Sequence, residues 1–259
     1  MGHLLSRVYM FAVLLLFVIY KERGESTGLY RASRAIDWPL VRVLLALGFP
    51  VAMQITAEYG VFALATAIIA RIDAISLAAH QIVLNVASVT FMVPLGVSSA
   101  GAVRVGQAVG RKDATGAIVS GWTAILLGAA FMFCASVTLF VVPETILRVF
   151  TTDRSVFALG VPLLFLAAAF QFFDGVQVTA GGVLRGIGNT RTPMIANLVG
   201  HWLIGLPVGV ALCFGATWQS FGIWTGLSLG LVVVAIALLL AWRGSTRRMD
   251  AVIAAASSH

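Results

Sequence analysis

Long apolar runs recur along the whole chain, and this feature restricts its fold more than any other. We delineate seven such runs, at residues 4–20, 40–69, 79–103, 118–142, 158–184, 193–214 and 219–242. A run of about 18 or more apolar residues can cross a hydrocarbon layer roughly 30 Å thick as a helix. In lipid, helices and closed barrels alone satisfy their own backbone hydrogen bonds. The sequence therefore predicts an all-α, polytopic transmembrane bundle of about seven helices.

Composition and charge indicate a membrane protein and argue against a nucleic-acid partner. Hydrophobic residues make up 60% of the 259 residues and charged residues 10%, whereas soluble domains contain about 25% charged residues. The net charge is +7, but most basic residues gather in alternate connections, including those with Arg23, Arg111 and Arg247. By the positive-inside rule this side is cytoplasmic. We therefore expect a multi-pass protein in the lipid bilayer of the cell inner membrane, with a cytoplasmic C-terminus.

The polar connections divide the chain into four parts. Segment 21–39 is rich in charge, Gly and Ser, and it separates the first run from six closely spaced ones. We interpret 1–20 as a single transmembrane helix, 21–39 as a cytoplasmic linker, 40–242 as a six-helix lobe and 243–259 as a cytoplasmic tail. The first run is short and has a stop-transfer pattern after it rather than a cleavage site. This ragged start suggests that upstream sequence is missing.

Two carboxylates interrupt the apolar runs. Glu58 lies in the second run and Asp174 in the fifth, whereas the other acids fall in connections or at helix ends. A charged side chain at membrane depth costs roughly 2.5–3.5 kcal/mol on insertion scales and usually serves a function. No Lys or Arg lies in the middle of a run, so the expected neutraliser is a proton, a metal cation or a cationic ligand. The alternative is a pair of neutral acids hydrogen-bonded to neighbouring helices.

Narrow polar stripes accompany the two acids. Residues three or four apart share a helix face, and four of the runs carry such a stripe. We expect the stripes to face inward and to line a cavity that contains both acids. The candidate cavity-lining residues are Gln54, Phe62, Gln81, Asn85, Phe170, Gln171, Gln177, Asn197 and His201. The rise per residue places Asp174 about 16 Å from Arg185 and Glu58 about 24 Å from Arg42, which predicts that the acids lie within roughly two helical turns of each other.

Signatures of enzymes are missing from the sequence. It contains no HExxH, GxSxG, Walker A or GxGxxG pattern, each of which marks a known catalytic or nucleotide-binding arrangement. We interpret Cys134 and Cys213 as small core residues. His80 is interpreted as a packing or interfacial residue, and His201 as a partner in a helix–helix hydrogen bond. We therefore predict that the chain is not an enzyme and uses no cofactor.

Several short segments resemble, in their order along the chain, one transporter family. They are Gly48-Phe49-Pro50, Ala78-Ala79-His80-Gln81, Val103–Gly110, Phe173–Gln177 and Leu184–Pro193. Together they resemble the multidrug and toxic compound extrusion (MATE) transporters. The likeness covers about residues 40–242 and is greatest to the second six-helix lobe of the NorM-type branch. Residues 1–20 are similar to the last helix of the first lobe.

The resemblance implies a fold, a function and roles for the two acids. It implies two six-helix lobes related by a pseudo-twofold axis along the membrane normal, with alternating access. Glu58 and Asp174 match the acids implicated in cation coupling, and they would be the ligands if the ion is sodium. Some sodium-coupled members carry Tyr four residues before the Asp, whereas this chain has Phe170, so protons are favoured. The implied function is cation-coupled antiport that exports small cationic drug-like molecules, together with an N-terminal lobe that this chain lacks.

Two other functions stay open at this point. A lipid-linked oligosaccharide flippase of the same superfamily would be expected to carry more intramembrane Arg or Lys for a pyrophosphate. A truncated lobe that does not transport would act only as an assembly partner. A lone lobe would expose some polar stripes to lipid, which penalises them.

Overall fold

A computed structural model describes residues 2–25 and 37–256, and the described residues are almost entirely helical. Residues 26–36 of the predicted linker (21–39) and the last three residues of the predicted tail (243–259) lie outside the described residues. The helices are α1 (Gly2–Glu25), α2 (Trp38–Ile69), α3 (Ala74–Gly110), α4 (Ala114–Val141), α5 (Pro143–Phe150), α6 (Arg154–Gly186), α7 (Arg191–Gly215), α8 (Gln219–Thr246) and α9 (Met249–Ala256). In the described part of the chain, α2, α3, α4, α6, α7 and α8 are long and apolar enough to cross a membrane, while the apolar part of α1, Val8–Lys21, is shorter. The prediction of an all-α transmembrane bundle is confirmed.

The chain divides into two compact units, Met1–Val43 and Leu44–His259. The first unit contains α1 and the beginning of α2. The second unit, called the lobe below, contains the rest of α2 and all later helices. The candidate site lies wholly within the lobe.

Aspartate side chains cap the starts of three long helices. The Oδ1 atoms of Asp73, Asp113 and Asp153 accept hydrogen bonds from backbone N–H groups of the first turns of α3, α4 and α6, at 2.6, 2.8 and 2.8 Å. Such caps satisfy donors that the first turn leaves unpaired. Each of these helices therefore begins before the apolar run that predicted it. The short helix α5, which has Pro143 at its first position, was not predicted.

Helix α6 is the central helix of the lobe and packs against α3, α4, α7 and α8. Most of its buried apolar residues fall into two clusters, one around Leu163 and Trp224 and the other around Val183 and Trp242. The segment of α6 between these clusters, residues 171–179, carries its buried polar side chains. The packing thus surrounds a short polar layer with apolar side chains on both sides.

Helix α7 departs from regular α-helical geometry in two places. Leu198–Gly205 and Ala211–Gly215 are π-helical, a geometry that is rare and frequently found at functional sites. Glycines let α7 approach α8 to backbone contact, since a Cβ atom at Gly205 would lie 3.1 Å from the carbonyl oxygen of Gly226. The apolar periodicity predicted a uniform helix here and did not reveal the π turns.

The two cysteines occupy different environments. Cys213 is buried in the apolar core, as predicted, whereas Cys134 is exposed on α4. The interpretation of Cys134 as a core residue is therefore wrong, because an apolar run in a membrane helix is apolar on its outward face as well.

Candidate cation and substrate site

An aromatic pair sets the register between α2 and α6. The rings of Phe62 and Phe170 meet edge to face with their centroids 6.1 Å apart. Glu58 lies one turn before Phe62 and Asp174 one turn after Phe170, so on antiparallel helices the two acids lie at the same level. They are close enough to repel each other electrostatically. The structure thus brings together the two acids that the sequence predicted to be neighbours.

No described residue donates a hydrogen bond to either acid. Asp174 is 8% exposed and Glu58 is half-buried, yet no described side chain or backbone group donates to either carboxylate. The alternative of two neutral acids hydrogen-bonded to neighbouring helices stays a prediction, because a protonated carboxyl group would itself be the donor. Burial in an apolar medium disfavours an isolated charge, so the pair is suited to binding a proton or another cation.

Amide side chains beside Asp174 are only half satisfied. The Oε1 atom of Gln171 accepts a hydrogen bond of 2.7 Å from the hydroxyl of Thr90, but its Nε2 atom has no partner. The Nε2 atom of Gln177 donates to Oδ1 of Asn197 at 3.4 Å, but its Oε1 atom has no partner. Both glutamines are on the same helix as Asp174, one turn away on either side. Unpaired buried polar atoms each cost about 1–3 kcal/mol, so their grouping marks a site for water or a ligand.

Two further unpaired polar atoms come from α2 and α7. The Oε1 atom of Gln54 and the Nδ1 atom of His201 are buried and have no hydrogen-bond partner in the described part of the chain. The predicted helix–helix hydrogen bond of His201 is therefore not present, and its ring instead lies 6.5 Å from that of Phe62. These positions agree with the inward orientation predicted for the stripes of α2, α6 and α7.

The stripe on α3 lies on the outer surface of the lobe. Gln81 and Asn85 are exposed, so they do not lie among the buried polar side chains of α6 and α7, and their place in a cavity closed by a second lobe stays a prediction. The inward face of α3 carries His80, Val83 and, two turns further, Thr90. Periodicity shows which residues share a face but not which face of a helix points inward, and here the neighbouring face is the buried one.

His80 connects three helices and is a fully buried packing residue. Its Nδ1 atom accepts a hydrogen bond of 3.1 Å from the indole N–H of Trp224. Indole nitrogen is only a donor, so the neutral ring carries its proton on Nε2 and donates to the hydroxyl of Thr66 at 2.9 Å. That hydroxyl donates in turn to the carbonyl of Phe62 at 2.9 Å. The network ties α2, α3 and α8 together next to the aromatic pair.

Two residues that the sequence analysis missed lie near the candidate site. The indole N–H of Trp202 on α7 donates to the carbonyl of Ala57 at 3.0 Å, which fixes α2 one residue before Glu58. Arg185, in the last turn of α6, donates from its Nη2 atom to the hydroxyl of buried Ser98 at 3.3 Å. Its long side chain thus extends from the helix end toward the polar layer of α6.

Comparison with known proteins identifies the family of the chain. The family model MatE matches residues 50–211, which include both acids and the amides around them. The chain belongs to the MATE family. Because MATE proteins are transporters, membership confirms the resemblance stated above and the prediction that the chain is not an enzyme.

Two relatives with similar sequences carry the same name. The chain is 40% identical over 243 residues to a probable multidrug resistance protein NorM of Mesorhizobium japonicum, covering 92% of this chain and 52% of the relative. It is 36% identical over 255 residues to the protein of that name in Brucella suis, covering 96% of this chain and 54% of the relative. The chain thus spans about half the length of these relatives.

Solved structures with this fold include a eukaryotic MATE transporter, AtDTX14, with a TM-score of 0.78 at 20% identity, over 93% of this chain and 56% of that one. The MATE transporter ClbM, solved in complex with Rb⁺, gives a TM-score of 0.72 at 22% identity, over 80% of this chain and 47% of that one. At these identities the likeness concerns the fold. The match to about half of each chain agrees with the half-length match to the NorM relatives.

Proposed function

We propose that this MATE chain is one lobe of a multidrug efflux antiporter in which Glu58 and Asp174 bind the coupling cation. The observation that carries the proposal is the pair of neighbouring carboxylates, inside a membrane-spanning bundle, to which no described residue donates a hydrogen bond. Its location is the cell inner membrane, with the C-terminus in the cytoplasm. The multidrug resistance relatives, each about twice as long, support the export function.

Antiport follows from competition for the same two acids. A cation bound between Glu58 and Asp174 stabilises one arrangement of the helices, and a cationic drug stabilises another. Each ligand shifts the equilibrium between these two helix arrangements only by the difference in its affinity for them. Phe62, one turn from Glu58, is only partly buried and offers an aromatic ring, which attracts cations. The chemistry of the site therefore favours aromatic organic cations as substrates.

The coupling ion is a proton in preference to sodium. Protonation needs one carboxylate oxygen, whereas a metal ion needs several oxygen ligands around it. Phe170, one turn before Asp174, supplies no oxygen, and its ring is 4% exposed between Phe62 and Trp224. The Rb⁺ complex of ClbM shows that a related fold can hold a monovalent metal ion. A sodium site at Glu58 and Asp174 is therefore the second candidate.

A first lobe is the proposed partner of this chain. Gln81 and Asn85 place polar groups on the outside of the lobe, where lipid would penalise them. A second lobe packed on that face would enclose these side chains in a shared cavity. The flippase alternative has less support, because the buried polar side chains of α6 are an acid, two amides and a threonine, and Arg185 lies beyond them in the last turn of the helix.

The experiment compares Asp174→Asn with the control Asp113→Asn, which alters an exposed helix cap far from the site. The chain is co-expressed with the first lobe of a NorM relative, and export of ethidium from inverted vesicles is driven by a pH gradient. We expect Asp174→Asn to abolish export with unchanged membrane insertion, and the control to export like the wild type. Export at the wild-type rate by Asp174→Asn would refute the coupling role. Export that depends on sodium after the pH gradient is collapsed would reverse the choice of ion.

A further inference from the structure

We propose that a cavity between α3, α4 and α5 binds one acyl chain of a phospholipid from the surrounding membrane. The cavity has a volume of about 470 Å³, which falls within the range of small-molecule sites in proteins. None of the described residues that line it carries a charge, so it differs in chemistry from the acids and amides of the candidate cation site. The inference goes beyond the proposed function and does not depend on it.

The cavity forms where α3 and α4 move apart. At one level the two helices touch, because a Cβ atom on Gly101 would lie 2.7 Å from the Cβ atom of Ala124. Thr90 precedes Gly101 on α3, and Cys134 follows Ala124 on α4. On these antiparallel helices both lie about 15–16 Å from that contact, because each residue rises about 1.5 Å. Thr90 and Cys134 therefore lie at the same level, and both line the cavity.

Helix α5 closes one end of the cavity and is suited to the membrane surface. Ile146 and Phe150 share one face of this helix and line the cavity. Glu144 and Arg148 lie on the other side of α5 and form an exposed ion pair at 3.3 Å. A helix with one apolar face and one charged face is suited to lie in the plane of the membrane interface. The cavity therefore begins just below the membrane surface, at the depth of the lipid acyl chains.

The length of the cavity agrees with the thickness of one leaflet. On α4 the lining residues extend from Leu139, close to the start of α5, to Phe131. This stretch of helix is about 12 Å long, and one leaflet contributes about half of a hydrocarbon layer roughly 30 Å thick. The cavity thus accommodates the chain of a lipid whose headgroup lies beside α5.

The walls of the cavity offer hydrocarbon and no free hydroxyl group in the described part of the chain. The hydroxyl of Thr138 donates to the carbonyl of Cys134 at 2.9 Å, and the hydroxyl of Thr90 donates to the Oε1 atom of Gln171 at 2.7 Å. Apart from the thiol of Cys134, which is a weak donor, the other lining side chains are aliphatic or aromatic. An organic cation would find no counter-charge here, whereas an acyl chain needs none.

Packing provides the driving force for binding the chain. Lipid tails are as apolar as the cavity walls, so binding removes no apolar surface from water. An unfilled cavity, however, leaves its walls without contacts on one side and forfeits part of their dispersion attraction. A flexible acyl chain supplies these contacts to exposed lining side chains such as Val89 and Phe150, which are 73% and 50% exposed.

Thr90 connects this cavity to the candidate cation site. Its hydroxyl donates to Gln171, which lies one helical turn before Asp174. An acyl chain packed against Thr90 is therefore separated from the polar layer of α6 by a single side chain.

Cross-linking with a labelled lipid tests the proposal. The full 259-residue chain is placed in vesicles of phosphatidylethanolamine and phosphatidylglycerol, with a trace of phosphatidylcholine that carries a diazirine at the middle of one acyl chain. After illumination, peptide mass spectrometry measures the label on the lining residues Phe131 and Thr138. We expect Ala135→Trp, whose added ring occupies the cavity, to lower this label about tenfold, which corresponds to a preference over bulk lipid of about 1.4 kcal/mol. The control Leu126→Trp, at a 65% exposed position of the same helix, should leave the label unchanged.

A label that Ala135→Trp leaves at the wild-type level overturns the inference, because it then reports bulk lipid. If Ala135→Trp does not fold, Val89→Trp fills the cavity from α3 and replaces it in the comparison.

Two further arms test the other possible occupants. An excess of tetraphenylphosphonium, a hydrophobic organic cation, should leave the label unchanged, and displacement of the lipid by this cation would assign the cavity to drugs instead. Co-expression with the first lobe of a NorM relative should also leave the label unchanged. Loss of the label in that arm would show that the second lobe covers the cavity, and it would overturn the assignment to lipid.

Discussion

Replacing Gly226 by alanine should destabilise the lobe by separating α7 from α8. A Cβ atom at Gly226 would overlap the backbone nitrogen and Cα of Gly209 and the carbonyl oxygen of Gly205. These are backbone atoms, so no side-chain rotation relieves the overlap. Carbon atoms pack at about 3.5–4.0 Å, and the two helices must therefore move apart by more than about an ångström.

The size of the effect follows from what this separation disturbs. Ile223, Leu227 and Leu231 are each 1% exposed in the α8 interface, and their packing loosens when the helices part. Overpacking in a core costs about 1–3 kcal/mol, and the lost contacts add to it. With about 2–4 °C per kcal/mol for a domain of this size, the unfolding temperature should fall by roughly 5–10 °C.

Gly244 on the same helix provides the control. A Cβ atom there meets nothing within 4 Å, so Gly244→Ala should stabilise the helix by about 0.5–1 kcal/mol. Unfolding temperatures of both variants and of the parent chain, all carrying Cys134→Ser to remove the exposed thiol, are measured in the same detergent by the reactivity of buried Cys213 with a fluorescent maleimide. The reasoning fails if Gly226→Ala unfolds at or above the wild-type temperature, or if the two variants shift it in the same direction.

Three further predictions concern other parts of the lobe. Trp224→Phe keeps the ring against Phe170 but removes the donor to His80, so unfolding free energy should fall by about 1–3 kcal/mol, measured by chemical denaturation; an unchanged value would contradict the network. Hydrogen bonds from the backbone N–H and hydroxyl of Ser76 lower the pKa of Asp73, so its cap stabilises the fold above the pKa of the unfolded chain and is lost as pH falls through the lowered folded pKa. Asp73→Ala should therefore destabilise by about 1 kcal/mol at neutral pH and have no effect in strong acid, as thermal unfolding at both pH values will show. A membrane-permeant maleimide should label exposed Cys134 and not buried Cys213, with Cys134→Ser abolishing labelling in mass spectra of the folded protein.

Apolar run length predicted every long helix of the lobe, because membrane-spanning helices need continuous apolar sequence. The residues at which the helices begin were predicted less accurately. Asp73, Asp113 and Asp153 precede the runs and extend the helices through polar residues, which a hydropathy criterion excludes although a capping criterion includes them. Helix α5 and the π turns of α7 were missed for a different reason. They depend on packing against neighbours rather than on local composition.

The candidate site was predictable where a residue is conspicuous by itself. Glu58 and Asp174 stand out because carboxylates are costly in lipid, and Gln171 and Gln177 stand out because they share the face of Asp174. Their partners could not be found in this way. Thr90 lies 81 residues before Gln171, and a single threonine in an apolar run gives no signal, because its hydroxyl can bond to its own helix backbone.

The outward stripe of α3 has a cause in the same network that builds the site. His80 must face inward to pair with Trp224 and Thr66, and Thr90 must face inward to reach Gln171. With those two residues fixed, Gln81 and Asn85 necessarily fall on the neighbouring, exposed face of the helix. Polar side chains in that position are unfavourable against lipid and favourable in a wet cavity. The orientation of α3 that directs His80 and Thr90 inward therefore also places Gln81 and Asn85 on the outer surface of the lobe. This polar surface supports the proposal that a second lobe completes the cavity.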